Sequence, residues 1–308
     1  LSSDPTLTNV TFSSNGAYND GGGIYNRGGI PSLTNVTFSA NWAVNGGGMY
    51  NNALNDPDNY PQLRNVTFGY NMATNQGSGM YNGGEFIQKS KPICTNVIIA
   101  YSYGGRDCFG TLHTGSYYNL IQNEANSCGL ADGAQGNIIG QDPLLGPLVN
   151  NGGFTLTHAL LTDSPAIDTG SPYDYPATDQ RDAARPQGAR CDIGAYEFEV
   201  APGSFNKTSP LNGTTGQSPG PTLSWGASSG ATSYDYCVTT TSGSCGLWQS
   251  AGMSTQVTLS GLAGNSTYYW HVRANNGVGT TYSNGLWWSF TTNCMAGILP
   301  SLMLLLGE

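Results

Sequence analysis

Charge is the scarcest commodity in this chain. Lysine, arginine, aspartate and glutamate make up only 9% of its 308 residues, and the net charge is −9. Ordinary globular domains carry about a quarter charged residues. The shortage of cations excludes nucleic-acid binding, which needs basic patches. No run of 18 apolar residues occurs, so no transmembrane helix is expected. No signal peptide stands at the start. Leu1-Ser2-Ser3-Asp4-Pro5-Thr6-Leu7 already matches the lead-in to a later repeat (Gly29-Ile30-Pro31-Ser32-Leu33), so the chain begins inside a repeat unit. This pattern implies a processed or partial chain, or a first unit completed by something else. Among the seven cysteines there is no Cys-x-x-Cys pair and no Cys/His metal spacing, which points to disulfides and an oxidising, extracellular compartment. Neither repeated phrase of the first 100 residues carries the 3.6-residue periodicity of a helix, which argues against helical repeats.

What is present is repetition. Asn9-Val10-Thr11-Phe12 returns as Asn35-Val36-Thr37-Phe38 and Asn65-Val66-Thr67-Phe68, and more faintly as Asn96-Val97-Ile98-Ile99. The spacings are 26, 30 and 31 residues. A second phrase keeps step: Gly21-Gly22-Gly23-Ile24-Tyr25-Asn26, Gly46-Gly47-Gly48-Met49-Tyr50-Asn51 and Gly77-Ser78-Gly79-Met80-Tyr81-Asn82. Self-similarity at this period means a solenoid whose units bury a core only by stacking. Short β-branched and aromatic phrases punctuated by glycine and asparagine predict an all-β fold, a right-handed parallel β-helix over residues 1–100. Val and Phe of the first phrase are assigned to the interior and Asn and Thr to the exterior. Asn15, Asn41 and Asn71, and likewise Asn26, Asn51 and Asn82, are placed to form amide ladders along the stack.

Residues 101–199 lose the repeat. Their order runs Asp142-Pro143-Leu144-Leu145-Gly146-Pro147-Leu148, Asn151-Gly152-Gly153, His158-Ala159-Leu160-Leu161, Ser164-Pro165-Ala166-Ile167-Asp168-Thr169-Gly170, Thr178-Asp179-Gln180-Arg181, Arg185-Pro186 and Cys191-Asp192-Ile193-Gly194-Ala195-Tyr196-Glu197. This run resembles the C-terminal part of bacterial cell-surface β-helix proteins of the choice-of-anchor Q family, over roughly residues 90–198. The coils resemble right-handed β-helix repeats of the polymorphic outer-membrane protein kind. The resemblance implies a secreted, surface-associated solenoid end with a loop-rich cap, and no particular catalysis. In that family a cysteine commonly precedes the proline at 176. Here the residue is Tyr175, so Cys191 lacks the partner that the resemblance implies.

After a linker at 200–204, residues 205–293 show about seven short alternating runs bounded by turn residues, the pattern of a sandwich. They resemble a fibronectin type III domain. Trp225 stands as the core tryptophan of the second strand, Leu262 and Tyr268 hold the spacing of a tyrosine corner, and Trp270, Val272 and Ala274 continue the inward face. Residues 294–308 are an apolar tail. Its Ile298, Leu299, Leu302, Leu304 and Leu306 suit a strand donated to another subunit.

Catalytic constellations are weak. The acid at Asp20 becomes Asn45 and Gln76 in later repeats, so carboxylates do not stack as glycoside hydrolysis on a β-helix requires. Nine of the nineteen carboxylates fall in 141–199 beside Arg181, Arg185 and Arg190, where Asx-turns and Arg–carboxylate pairs pinning the cap are expected, with calcium as the lesser alternative. His158, in an apolar run, reads as a packed histidine. Cys108 with Cys128 and Cys237 with Cys245 are the disulfide candidates, leaving Cys94, Cys191 and Cys294. Glycosylation candidates are the sequon asparagines Asn9, Asn35, Asn65, Asn206, Asn212 and Asn265, and Thr239, Thr240 and Thr241. The functional expectation is an extracellular, surface-associated structural protein, a homo-oligomer or polymer assembled head to tail through its tail. Two alternatives stand beside it: an adhesin stacking surface glycans on Tyr25, Tyr50 and Tyr81, and a polysaccharide lyase or hydrolase.

Overall fold

The computed structural model describes residues 4–54, 59–83 and 89–294, which form two units, Leu1–Phe198 and Glu199–Glu308. The tail residues Ile298 to Leu306 lie outside the described residues. The first unit is a β-solenoid of about three turns. Its first coil holds β1 (Thr6–Ser13) and β2 (Ile24–Arg27). The second holds β3 (Ser32–Ser39), β4 (Trp42–Asn45) and β5 (Met49–Asn52). The third holds β6 (Gln62–Gly69), β7 (Met72–Gln76) and β8 (Met80–Gly83). Shorter strands follow: β9 (Ile93–Thr95), β10 (Ile98–Ala100), β11 (Tyr103–Gly104), β12 (Cys108–Phe109), β13 (Leu120–Ile121) and β14 (Ile138–Ile139).

Like pairs with like in parallel register. Val10, Val36 and Val66 lie side by side, as do Phe12, Phe38 and Phe68. The three phenyl rings stack with centroids 5.0 and 4.6 Å apart. Phe38 and Phe68 are fully buried together with Val36, Val66, Met49 and Met80. The strands are twice the length of the repeated phrase because its asparagine resets the phase. Asn9, Asn35, Asn65 and Asn96 all adopt left-handed φ of 52–57°, a conformation that asparagine tolerates better than most residues. Leu33 and Val36, three positions apart, therefore both enter the core. The amide ladders form as expected. Asn15 donates to Asn41 at 3.0 Å and Asn41 to Asn71 at 2.9 Å. Asn26 donates to Asn51 at 3.1 Å and Asn51 to Asn82 at 3.0 Å.

Rung pairing does not stop at residue 100. The first sheet runs β1-β3-β6-β10-β13-β14 and reaches Ile139. The sequence repeat fades there because these last rungs are only two or three residues long and keep just one apolar pair each. A hairpin of β15 (Leu145–Val149) and β16 (Thr157–Leu160) then leads into the cap. The disulfide Cys108–Cys128 joins the last coils, with Cα atoms 5.5 Å apart. It closes a 20-residue separation, so replacing both cysteines with serine is expected to cost roughly 3 kcal/mol in the chain-entropy account. Urea unfolding of the double variant checks this.

The second unit has two sheets around one core. The smaller orders β17 (Lys207–Ser209), β19 (Thr222–Trp225) and β22 (Gln256–Thr258), with β18 (Thr214–Gln217) belonging to the larger. That larger sheet runs from β18 through β25 (Trp288–Thr292), β23 (Thr267–Asn275) and β20 (Ser233–Thr239) to β21 (Gln249–Gly252), with β24 (Thr280–Tyr282) also on β23. Trp225, Trp270, Val272, Ala274 and Phe290 fill the core, as the alternation predicts. The Tyr268 hydroxyl accepts the Ala263 amide at 2.9 Å. The disulfide Cys237–Cys245 clips the end of β20, with Cα atoms 6.1 Å apart.

Candidate functional site

The outward side chains of the repeated Asn-Val-Thr-Phe phrase do not face solvent. The loop segment 170–198 folds back across them. Asn9 Nδ2 donates to Asp182 Oδ1 at 3.2 Å, and Asn35 Nδ2 to the Thr178 carbonyl at 2.9 Å. Asn65 Nδ2 donates to the Asp192 and Gly194 carbonyls at 3.2 and 3.1 Å. Asn96 Nδ2 donates to the Asp174 carbonyl at 3.3 Å, and its Oδ1 accepts the Ser171 amide at 2.7 Å. The threonine row is read by the same segment. Gln180 bridges two rungs: its Nε2 donates to Thr11 and its Oε1 accepts from Thr37, each at 2.7 Å. The Thr67 hydroxyl accepts the Ala195 amide at 2.9 Å. The phrase is thus amphipathic between two interiors, with Val and Phe in the solenoid core and Asn and Thr in a polar seam under the cap.

Asn35 and Asn65 are 2% and 0% exposed, with their amide nitrogens committed to this seam. They are corrected as glycosylation candidates, since a glycan has no room there in the folded protein. Asn206, Asn212 and Asn265 are exposed, as are Thr240 and Thr241, while Asn9 and Thr239 are half-buried.

The cap is held by buried charge. Arg185 and Glu197 pair at 2.5 Å with side chains 0% and 1% exposed. Arg185 also donates to the Asp192 and Gly194 carbonyls, the two that Asn65 uses. Asp179 accepts the Arg181 and Ala183 amides through one oxygen, and Arg181 Nε and the Glu197 amide through the other. Arg181 lies 3.7 Å over the Tyr196 ring. Asx-turns and Arg–carboxylate pairs account for these acids. Among the described residues no three metal-ligating side chains converge. His158 is buried, with Nδ1 2.7 Å from the Gly146 carbonyl and Nε2 2.9 Å from Ser39 Oγ, and burial lowers its pKa. It packs the hairpin onto the coils. Cys94 and Cys191 are buried thiols whose pKa burial pushes up, that of Cys191 to about 12, so neither is a ready nucleophile.

Burial, and next the charge of Glu197, raise Asp192 from 3.8 to about 7. The folded state then keeps a proton that the unfolded chain releases near pH 4. This contribution to stability is complete below that pH and is lost as pH rises toward 7. The unfolding free energy of wild type minus that of Asp192→Asn is expected to fall between pH 4 and 7 and stay constant above, as read by urea unfolding across pH. A difference that rises with pH contradicts the assignment.

Tyr25, Tyr50 and Tyr81 form the expected ladder, extended by Phe109, with centroids 5.3, 4.6 and 4.6 Å apart. They point outward, but the rings stack on one another. Their faces are therefore used within the protein, and their edges are what a ligand meets. Compared with known proteins, the chain matches no family model and no curated sequence.

What sequence reasoning missed is the seam. Its contacts span 75 to 173 residues along the chain. The visible signal was the constancy of Thr11, Thr37 and Thr67, where any polar residue serves a solvated face.

Proposed function

We propose that the protein is an extracellular, surface-associated structural protein: a right-handed β-helix with a cap of the choice-of-anchor Q kind, followed by a fibronectin type III-like sandwich. The observation that carries this reading is the cap seam. The broad outward face of the longest sheet is committed to internal hydrogen bonds rung after rung, and the buried carboxylates Asp179, Asp192 and Glu197 of the cap are spent on arginines and backbone amides. Such an arrangement favours a braced rod over a catalytic cleft. The two disulfides suit an oxidising compartment. For the sandwich, support comes from the strand order of its two sheets, the buried Trp225 and the Tyr268 contact at the corner. The exposed Asn206, Asn212 and Asn265 are its glycan acceptors.

Assembly is the remaining part of the proposal. The tail residues Ile298, Leu299, Leu302, Leu304 and Leu306 act as a donor strand to a neighbouring copy, a heterologous contact that propagates into filaments. Electron microscopy of the full chain and of a version ending at Asn293 tests it. Filaments that disappear on truncation are expected. Monomers from both sink the assembly reading.

A further inference from the structure

The second repeated phrase builds a notch along the solenoid. Gly21, Gly46 and Gly77 occupy equivalent corners with φ of 71, 64 and 64°. The chain doubles back so tightly that a Cβ there would lie 2.4–2.7 Å from the carbonyl oxygen three residues on, that of Ile24, Met49 or Met80. Only glycine makes this corner. One wall is the row of tyrosines. The other carries polar side chains that bond from rung to rung: Asn45 Nδ2 donates to Asp20 Oδ1, and Asn75 Nδ2 to Asn45 Oδ1, both at 2.9 Å. Over the first two rungs the notch is a cavity of about 490 Å³ lined by Asn19, Asp20, Tyr25, Val44 and Asn45. Asn19, Val44 and Asn75 are exposed and Tyr25 is half-exposed.

We infer that this notch binds a neutral, linear polysaccharide lying along the solenoid axis. Three features select that ligand. The sites repeat at the inter-strand spacing of about 4.8 Å, close to the length of one sugar ring, so successive sugars meet equivalent groups. Amides on one wall and phenol edges on the other both donate and accept hydrogen bonds, which suits hydroxyl groups. The single charged lining residue is Asp20, half of whose carboxylate is tied to Asn45. An acidic wall disfavours a polyanion, and its field extends across the notch to Tyr81, whose pKa is raised by burial first and by Asp20 second. Val44 and the exposed edge of Tyr25 supply apolar contact for sugar C–H groups. This site shares no residue with the cap seam or the tail, so it stands or falls independently of the assembly proposal.

Isothermal titration of the full chain with hexasaccharides of glucose, mannose, xylose, N-acetylglucosamine and galacturonic acid tests the inference. At least one neutral hexamer is expected to bind and the galacturonan not to. The triple variant Tyr25→Phe, Tyr50→Phe, Tyr81→Phe keeps the ring stack and removes only the hydroxyls. Its affinity is expected to weaken by about tenfold or more, with a cooperative unfolding transition retained. Binding of the polyanion alone, binding by none of the neutral hexamers, or equal affinity of the triple variant overturns the proposal.

Discussion

Replacing Arg185 by alanine is expected to destabilise the first unit by about 3–5 kcal/mol. The guanidinium is enclosed, and Glu197 beneath it is 0% exposed. Removing the cation leaves a carboxylate with its backbone donors but without its counter-charge, and burial then forces it to take up a proton or drag in water. The loss reaches further than one pair. Arg185 and Asn65 share the carbonyls of Asp192 and Gly194, so the variant loosens the turn that carries the Ala195 amide to Thr67. Arg185→Ala with Glu197→Ala is expected to cost less than the sum of the two single changes, because the orphaned charge goes too. Urea unfolding of the three variants measures this. A cost below about 1 kcal/mol for Arg185→Ala, in the range of exposed pairs, contradicts the picture of a charge-pinned cap.

The second large effect belongs to the core. Phe38→Ala is expected to cost about 3–5 kcal/mol. Phe38 is fully buried between Phe12 and Phe68, so its removal breaks a continuous ring stack at the centre and leaves a void with fixed walls. On one side those walls are glycine backbone. The inner corner is packed so closely that a Cβ on Gly48 would lie 2.7 Å from the Phe68 ring, and one on Gly23 2.8 Å from Phe38. A solenoid held in register by parallel strands cannot collapse sideways to fill the gap. Phe12→Ala, at the half-buried end of the stack, is expected to cost less. Equal costs would show that the rungs relax independently.

The solenoid was legible because its repeat is written in the same residues that pair. Val36 and Phe38 find Val66 and Phe68 beside them, and Asn51 finds Asn82. The left-handed asparagine was hidden, since a four-residue phrase reads equally well as plain alternation. Only Leu33, out of step with Val36, betrays the reset. Beyond residue 100 the individual rungs were not legible. Ile98, Leu120 and Ile138 continue the first sheet at intervals that no longer match the earlier spacing. The constancy of Thr11, Thr37 and Thr67 hinted at a covered face, but the seam's partners were beyond reach from sequence. Nothing local tells Thr37 that Gln180 will bond to it, because that contact depends on how a loop-rich segment travels back along the rod. Sequence identified the arginines and carboxylates of the cap as a pinned cluster, but not which surface they pin it to.

The claim that the repeated asparagines and threonines form a docking strip for the cap is tested most directly by native-state hydrogen exchange. Amides of residues 176–198 are expected to open with the same free energy as those of β3 and β6, as one cooperative unit. Exchange of 176–198 at rates near those of an unstructured chain, while β3 and β6 stay protected, would mean that the seam does not hold the cap and that the outer face of the sheet is open.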